Sequence, residues 1–497
     1  MGIIIRQSFK ATIVSYVGAV LGAATVIFLY PYCLTSEQIG LTRVLLEAGL
    51  FFSSFAQLGM SNIAIRYFPS FKNQDNHHNG FFFIITFIPL VGFLLFLCTF
   101  FLFKNGIISL FAKNSKLFTD YLLYVIPITF FWMYITIYES FASILHRIVI
   151  PKIIREIVVR ILTIVIIIAF FLKIINLNNF ILLLVCIYGF AMAVNFFYIN
   201  QLNSISLKPQ FKFLKKPLLK EMGLFMLYMI VAGSGSSIAS KIDIYMISMK
   251  ISLSDTGIFT IAYFISSFIE MPSRSVFQIS TPIAVEALKK KDMDLVERLY
   301  KKVSINQLLI GGFLFVLIWA NVDNIFKIMP HGEIYSKGKY VVFLIGLSKV
   351  FDAVTGINAS LLSYSKYYYY TLYFIFFLSG LAILNNLIFI PLFGITGAAM
   401  ATAVSLFLYN AILVWFVWLK MKIQPFSRQT IVAVIILAGL LVVNSIWFKF
   451  MNPYIDGIIR SIFISVLFIS IVLGLKISDD LNATVNFLFK KILNYIK

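Results

Sequence analysis

Apolar runs of about 20 residues, the length an α-helix needs to cross a bilayer, recur along the whole chain. Six fall near 11–32, 40–62, 80–103, 119–145, 153–173 and 178–200. Six more fall near 223–249, 257–281, 304–326, 339–363, 368–391 and 395–419, and two follow near 429–448 and 456–476. The run from Gly223 to Met249 is the pivot of this pattern. It is long enough to span a membrane, yet it holds Lys241 and Asp243, and the chain begins to repeat itself there. A shift of 217 places Ile13-Val14 on Ile230-Val231, Gly40 on Gly257 and Phe51 on Phe268. The same shift places Ala142-Ser143 on Ala359-Ser360 and Leu145 on Leu362. Single coincidences are cheap in apolar sequence. One gapless offset that also superposes most of the hydrophobic runs is not, so the chain reads as two copies of a six-helix unit.

The expected fold is an all-α membrane protein with about 14 transmembrane helices, in two parallel-related six-helix bundles plus two C-terminal helices. Its expected divisions are a first bundle over 1–207, a basic cytoplasmic linker over 208–222 and a second bundle over 223–422. Two extra helices and an amphipathic cytoplasmic tail occupy 423–497.

Composition fixes the class. Hydrophobic residues make up 61% of 497 positions, charged residues 12%, and mean hydropathy is +0.95, too apolar for a water-soluble domain. The 53 Phe and 25 Tyr suit aromatic belts at membrane interfaces. A net charge of +21 would suggest nucleic acid in a soluble protein. Here the cations gather between spans. With the end turns of spans counted as loop, 26 of the 41 Lys and Arg lie on the N-terminal side of the membrane, 10 on the other and five within spans. By the positive-inside rule both termini are cytoplasmic, and no nucleic-acid partner is implied. Cys33, Cys98 and Cys186 lie far apart in or beside apolar runs and imply neither disulfide nor metal. The N-terminal run is too long, and lacks the small-residue pattern, for a cleaved signal peptide, so it reads as a retained first span. The basic stretch Lys208–Lys220, the segment Glu286–Lys302 and the tail Leu481–Lys497 read as interfacial segments that anionic lipids attract, with Leu288, Leu295 and Leu299 available to the interface.

Enzyme signals are missing. There is no GxxxxGK[ST] phosphate loop and no HExxH, and His77, His78, His146 and His331 all lie in or near loops. No catalytic residue, cofactor or metal is expected. The informative positions are ionisable groups inside spans, each costing a few kcal/mol near the bilayer centre unless paired or wetted. Arg43 and Glu47, and Glu270 and Arg274, are four residues apart, while Lys349 and Asp352 are three apart, so each pair shares a helical face. Lys241 and Asp243 point in different directions and need partners on other helices. Glu139 has none within reach on its own helix. Internal ties between helices would explain any single pair. The set as a whole favours a water-filled cavity at mid-membrane, where transporters built from repeats keep their sites. Pro127, Pro272, Pro282 and Pro391 interrupt or end spans, and Gly233-Ser234-Gly235 permits close packing or bending.

The stretch Asn386–Thr402, NLIFIPLFGITGAAMAT, resembles the N-x-x-x-I-P-x-x-G-x-x-G-A-A-x-A-T signature of O-antigen-type polysaccharide flippases. These belong to the multidrug/oligosaccharidyl-lipid/polysaccharide exporter superfamily. Gly59–Ser70 (GMSNIAIRYFPS), Ser240–Ser248 (SKIDIYMIS) before Asp255–Tyr263 (DTGIFTIAY), and Pro272 with Pro282 add to the match, which covers the whole chain. The resemblance implies the fold of that superfamily, shared with its multidrug antiporters, and residence in the bacterial cytoplasmic membrane. It implies a flippase moving undecaprenyl-diphosphate-linked oligosaccharide from the inner to the outer leaflet, for O-antigen, capsule or exopolysaccharide. Two bundles would surround a cationic cavity opening alternately to each side. By position, Asp243 carries the Asp of the "iDiym" motif and Arg66 the Arg of the "iRyfP" motif. The substrate-binding set is then Arg274, Lys349, Lys241 and Arg66, with Glu270, Asp352, Asp243, Glu139, Arg43 and Glu47 as charge partners or coupling groups. Anionic lipids and polysaccharide assembly proteins are the other expected partners, and a monomer the expected state.

The first span departs from the superfamily pattern, with no charge between Lys10 and Glu37. That gap weakens two sister readings, a cation-coupled multidrug exporter and a lipid II-type flippase. A membrane oligosaccharide polymerase would call for a large outside loop rich in Arg or His, and the long loops here are on the inside. A scaffold would leave the mid-membrane charge unexplained. The charge bias makes a direct prediction: a reporter active only outside the membrane, fused after Lys497, should be silent, and activity there would undo the topology.

Overall fold

The computed structural model describes residues 2–73, 77–202, 208, 216–447, 451–478 and 482; side chains at 2–6, 8, 9, 77 and 275 are not described. Most of the Lys208–Lys220 linker and all but one residue of the tail from Leu481 lie outside the described residues. Two compact units are present, Met1–Thr260 and Ile261–Lys497.

The first unit holds α1 (Gly2–Ala23), which runs through a π-helical stretch, Ala24–Leu29, into α2 (Tyr30–Cys33). Then come α3 (Ser36–Ala56), α4 (Met60–Phe71), α5 (Phe81–Phe111), α6 (Lys116–Asp120), α7 (Val125–Ile144) and α8 (Val149–Ile153). A second π stretch, Ile154–Val158, leads into α9 (Val159–Phe171), followed by α10 (Leu177–Leu202), α11 (Lys216–Lys250) and the first half of α12 (Leu253–Ser267). The second unit holds the rest of α12, a 3-10 turn at Phe268–Glu270, α13 (Met271–Lys289) and α14 (Met293–Ile328). It continues with α15 (Gly332–Tyr335), α16 (Lys339–Thr355), α17 (Ile357–Ser363), α18 (Tyr370–Met421), α19 (Arg428–Ser445) and α20 (Pro453–Gly474).

Every apolar run lies on helix, and no strand occurs among the described residues. Among the described residues ten helices are individually long and apolar enough to cross a membrane, eleven with the pair Gly332–Thr355 and Ile357–Ser363, which bends by 45°. The difference from fourteen has local causes. The fifth run carries Lys152, Arg155, Glu156 and Arg160, the eighth carries Glu270 and Arg274 around the 3-10 turn before Pro272, and the eleventh and twelfth share α18.

The long helix α18 is a hairpin. A straight helix would separate Asn385 from Ser405 by about 30 Å, but Asn385 Nδ2 donates to Ser405 Oγ at 2.9 Å. The reversal happens at Gly394, whose φ of +60 with ψ of −135 is closed to side-chain-bearing residues, three residues after Pro391. Beyond it, a Cβ on Gly397 would lie 2.0 Å from the Phe389 carbonyl oxygen. Ala398, Ala399 and Ala401 are fully buried where the two arms meet. The N-x-x-x-I-P-x-x-G-x-x-G-A-A-x-A-T pattern is thus a steric prescription for a tight transmembrane hairpin: a proline, a left-handed glycine, then residues small enough for backbones to touch.

Close backbone approach also marks the repeat. Gly40 on α3 and Gly257 on α12, equivalent under the 217-residue shift, face one another. A Cβ on Gly40 would sit 1.9 Å from the Leu253 carbonyl oxygen, and one on Gly257 2.0 Å from that of Ser36. Ser36 and Ser254 share a hydrogen bond beside them at 2.7 Å. Hydrocarbon offers no hydrophobic drive between helices, so contact of this kind, with its dispersion and hydrogen bonds, is what joins them.

In the second unit, Leu288 and Leu299 pack on a core formed by Ala284, Val296, Tyr300, Ile357, Leu361 and Val417. The Glu286–Lys302 segment is the turn between α13 and α14, with those two leucines spent on the interior; Leu295 alone of the three is exposed. The side chain of α14 residue Tyr300 donates to Asn358 within that core.

Replacing Gly397 with Ala should destabilise the purified protein by a few kcal/mol, since backbone rather than a flexible side chain blocks the new methyl. Thermal unfolding in detergent reads this out; an unchanged midpoint would refute the hairpin packing.

Candidate functional site

Each unit sets a carboxylate of its second or eighth run between a lysine and an arginine. In the first, Glu47 is 2% exposed and lies 2.7 Å from Arg43 Nη2, one turn earlier on α3. Its same oxygen accepts from Lys241 Nζ of α11 at 3.0 Å. In the second, Glu270 bridges Lys349 Nζ of α16 at 2.6 Å and Arg274 Nε, one turn later, at 3.4 Å. Tyr263 places its ring 5.7 Å from the same ammonium. Each cluster carries a formal charge of +1. The carboxylates sit on the second and eighth runs, which the repeat makes equivalent, but not at equivalent positions.

Depth makes these clusters unusual. Glu47 lies 11 residues along α3 from Ser36, about 16 Å, and Lys241 lies nine before Lys250, about 14 Å, in a hydrocarbon layer of about 30 Å. Arg274 is 73% exposed, which a guanidinium in a span tolerates only beside water or another ligand.

Not every expected pairing forms. Lys349 and Asp352 share a face, yet Lys349 turns to Glu270 while Asp352 accepts from Asn410 Nδ2 of α18 at 3.0 Å. Asp243 is buried. Arg66 lies midway along α4 on its exposed side, 3.3 Å from Glu221 and with its guanidinium over the Phe225 ring, away from the other predicted cations' partners.

The partner of Glu139 comes from elsewhere: Arg155 Nη1 donates to it at 2.6 Å. Arg155 also lies 3.4 Å from Glu156, which holds Arg160 at 2.9 Å, giving a ladder of four charges. The ladder starts on the π stretch, where the extra residue per turn re-aims side chains. Helix α1 is notched to receive it. A Cβ on Gly18 would lie 2.8 Å from that of Glu156, and one on Gly22 would lie 1.6 Å from Arg160 Nη1. The charge that the first span lacks is therefore supplied by the fifth, laid across two glycines one turn apart. Arg155, Glu156 and Arg160 were not among the residues singled out from the sequence. The matching four-residue spacings, Gly18/Gly22 and Glu156/Arg160, were the available signal.

Residues 5–286, more than half of the chain, match the family described as polysaccharide biosynthesis protein. The chain belongs to that family. No curated protein matches it in sequence. Among solved structures it is similar to lipid II flippase MurJ in an inward closed conformation, with a TM-score of 0.71 and 13% identity over 93% of this chain and 98% of that one. It is also similar to an inward-facing multidrug resistance MATE family transporter of the MOP superfamily, at a TM-score of 0.60 and 13% identity over 82% and 94%. A Vibrio cholerae MATE transporter, VcmN in its bent form, aligns at 0.51 with 11% identity over 90% and 100%. This polysaccharide biosynthesis protein thus has the MurJ/MATE-like fold of the MOP superfamily.

Removing one member of a buried ion cluster leaves the others uncompensated. Glu47→Ala should cost about 3–5 kcal/mol of stability, with part of it recovered in the Glu47→Ala/Lys241→Ala double variant. Unfolding of the four-member cycle in detergent measures the coupling; additivity of the two changes would contradict it.

Proposed function

We propose that this protein is a flippase carrying undecaprenyl-diphosphate-linked oligosaccharide from the inner to the outer leaflet of the bacterial cytoplasmic membrane, by alternating access. The observation that supports this best is the pair of net-positive Lys–Glu–Arg clusters, one in each unit, at depths where a span has no structural use for surplus cations. Family membership supports a role in polysaccharide assembly. Both termini would face the cytoplasm.

In this reading Arg274 and Lys349 take the diphosphate in the second unit and Lys241 does so in the first. Glu270 and Glu47 hold these cations in place while the site is empty. Asp352, tied to Asn410, keeps a further negative charge near Lys349. Arg66, exposed on α4, suits first contact with the head group at the membrane face. The sugars cannot cross hydrocarbon unaided, so a wet cavity carries them while the cations lower the cost of the phosphates at mid-membrane.

The driving force follows from charge. A diphosphate-linked lipid carries about two negative charges. Moving them out of a cell that is negative inside is downhill by about 2.3 kcal/mol per charge per 100 mV if they cross the full field. Cations that remain with the protein do not cancel the charge moved over a cycle.

Arg274→Ala and Lys349→Ala should each abolish surface glycan while the protein stays in the membrane. In proteoliposomes, outward movement of lipid-linked sugar should accelerate with inside-negative potential and run without ATP. Normal glycan in both variants would remove the site. A rate indifferent to potential and to ion gradients, or strict ATP dependence, would rule out the mechanism.

A further inference from the structure

Beside the Glu47 cluster lies a chamber that no charge enters. Its volume is about 180 Å³ and its walls are aliphatic and aromatic, among them Phe51, Phe52, Phe111, Phe118, Ile242 and Tyr245. An apolar cavity of about 150 Å³ stays dry and takes a benzene-sized guest, so this one has room for a branched five-carbon unit of hydrocarbon. Phe51, Ile242 and Tyr245 are only partly buried, so the chamber communicates with the space outside the unit. It lies between mid-span and the end of the unit that carries Lys250, since Met249 and the α6 residue Phe118 help to close it.

Two helices carry both the chamber and the charges. On α3, Glu47 is followed by Ala48, which lines the chamber, and Phe51 is one turn on. On α11, Lys241 is followed by Ile242, and Tyr245 is one turn on. The Tyr245 ring forms a wall and meets Phe51 edge-on at 6.0 Å, while its hydroxyl stands in the field of Glu47 and Arg43. That hydroxyl is buried and has no partner, and neither has Arg43 Nε. An unpaired buried hydroxyl thus stands on the wall of an apolar pocket, with Arg43 and Lys241 on the two helices that line it. Buried donors left unpaired are rare and call for a ligand or water.

We propose that this chamber, with Arg43, Lys241 and Tyr245, binds the phosphate-proximal segment of a polyprenyl chain as its diphosphate reaches mid-membrane. The proposal rests on the flippase reading and specifies which part of the lipid the first unit holds. Depth selects the occupant. A resident phospholipid keeps its phosphate at the head-group level, and reaching Lys241 would drag that charge about 14 Å into hydrocarbon. A lipid in transit has its phosphate there by necessity. Polarity agrees: with the Lys250 end of the unit outward, a chain in the chamber leads outward from a head group still turned to the cytoplasm. That is the orientation of a substrate loaded from the inner leaflet.

The test uses full-length purified protein with undecaprenyl diphosphate as the probe. Filling the chamber by Ala48→Trp or Ile238→Trp should lower affinity about tenfold or more, the chain losing several buried methylenes. Leu102→Trp, on an exposed face of α5, should leave affinity alone. Phosphatidylglycerol should compete poorly. Because a bulky residue can unfold the unit, a second arm puts a photoreactive benzoylphenylalanine at Phe52, which should crosslink undecaprenyl diphosphate in preference to phosphatidylglycerol. Wild-type-like affinity in both filled variants, equal competition by phosphatidylglycerol, or no crosslink would overturn the chamber assignment. Failure of the unaltered protein to bind the probe at all would instead strike the flippase reading itself.

Discussion

A charge in hydrocarbon must be answered from within the protein, and the Glu47 cluster shows how much follows from that. Glu47 is nearly sealed, so its two cations cannot be supplied by solvent; one comes from its own helix and the other from α11. That requirement binds α11 to the first unit, although its sequence opens the second copy of the repeat. The same helix α3 meets α12 at Gly40, holds the carboxylate two turns further on, and turns its next residues into an apolar chamber. Changing the pitch or position of α3 would disturb all three, so the helix is constrained by glycine, charge and aromatic contact together.

Glycine is the second half of the same constraint. Pairing a buried charge needs its partner within about 3 Å, and helices hold their axes about 8–10 Å apart when ordinary side chains lie between them. Gly18 and Gly22 remove the intervening side chains, so Glu156 and Arg160 can lie across α1 and pair with each other there. An uncharged first span and a charged fifth span are therefore one arrangement. A side chain at Gly18 would meet the Cβ of Glu156, whereas one at Gly22 would meet only the far end of the Arg160 side chain, which can move aside.

The helical class, the rough placement of the apolar runs and the same-helix pairs Arg43/Glu47 and Glu270/Arg274 were legible in the sequence, because periodicity and four-residue spacing are local properties. The hairpin at Asn386–Thr402 was legible as a resemblance, and its steric content emerged only when Gly394 and Gly397 were placed. What could not be read were partners across helices. Lys349 and Asp352 look like a pair at three residues' separation, but Glu270 and Asn410 lie closer in space. Leu288 and Leu299 look interfacial from their spacing alone, because an apolar stripe does not say whether lipid or another helix faces it. The π stretch at Ile154–Val158 was hidden too, since nothing in the sequence IREIV announces an extra residue in the turn.

The bridging carboxylates also bear on turnover under the proposed function. A bare pair of cations at mid-membrane would hold a diphosphate in low dielectric by many kcal/mol, and the substrate would not leave. With Glu47 and Glu270 present, an incoming phosphate must displace a carboxylate that already satisfies the same ammonium and guanidinium. Binding then becomes an exchange of one anion for another, and its free energy is a small difference between two large attractions. Release follows by the same exchange run backwards, with the carboxylate returning to its cations as the head group departs. A net charge of +1 in each cluster keeps the balance on the side of binding, while the carboxylate keeps it shallow enough to reverse. A transporter needs both, because an attraction that could not be undone would trap the lipid at the depth where it is most costly to leave it.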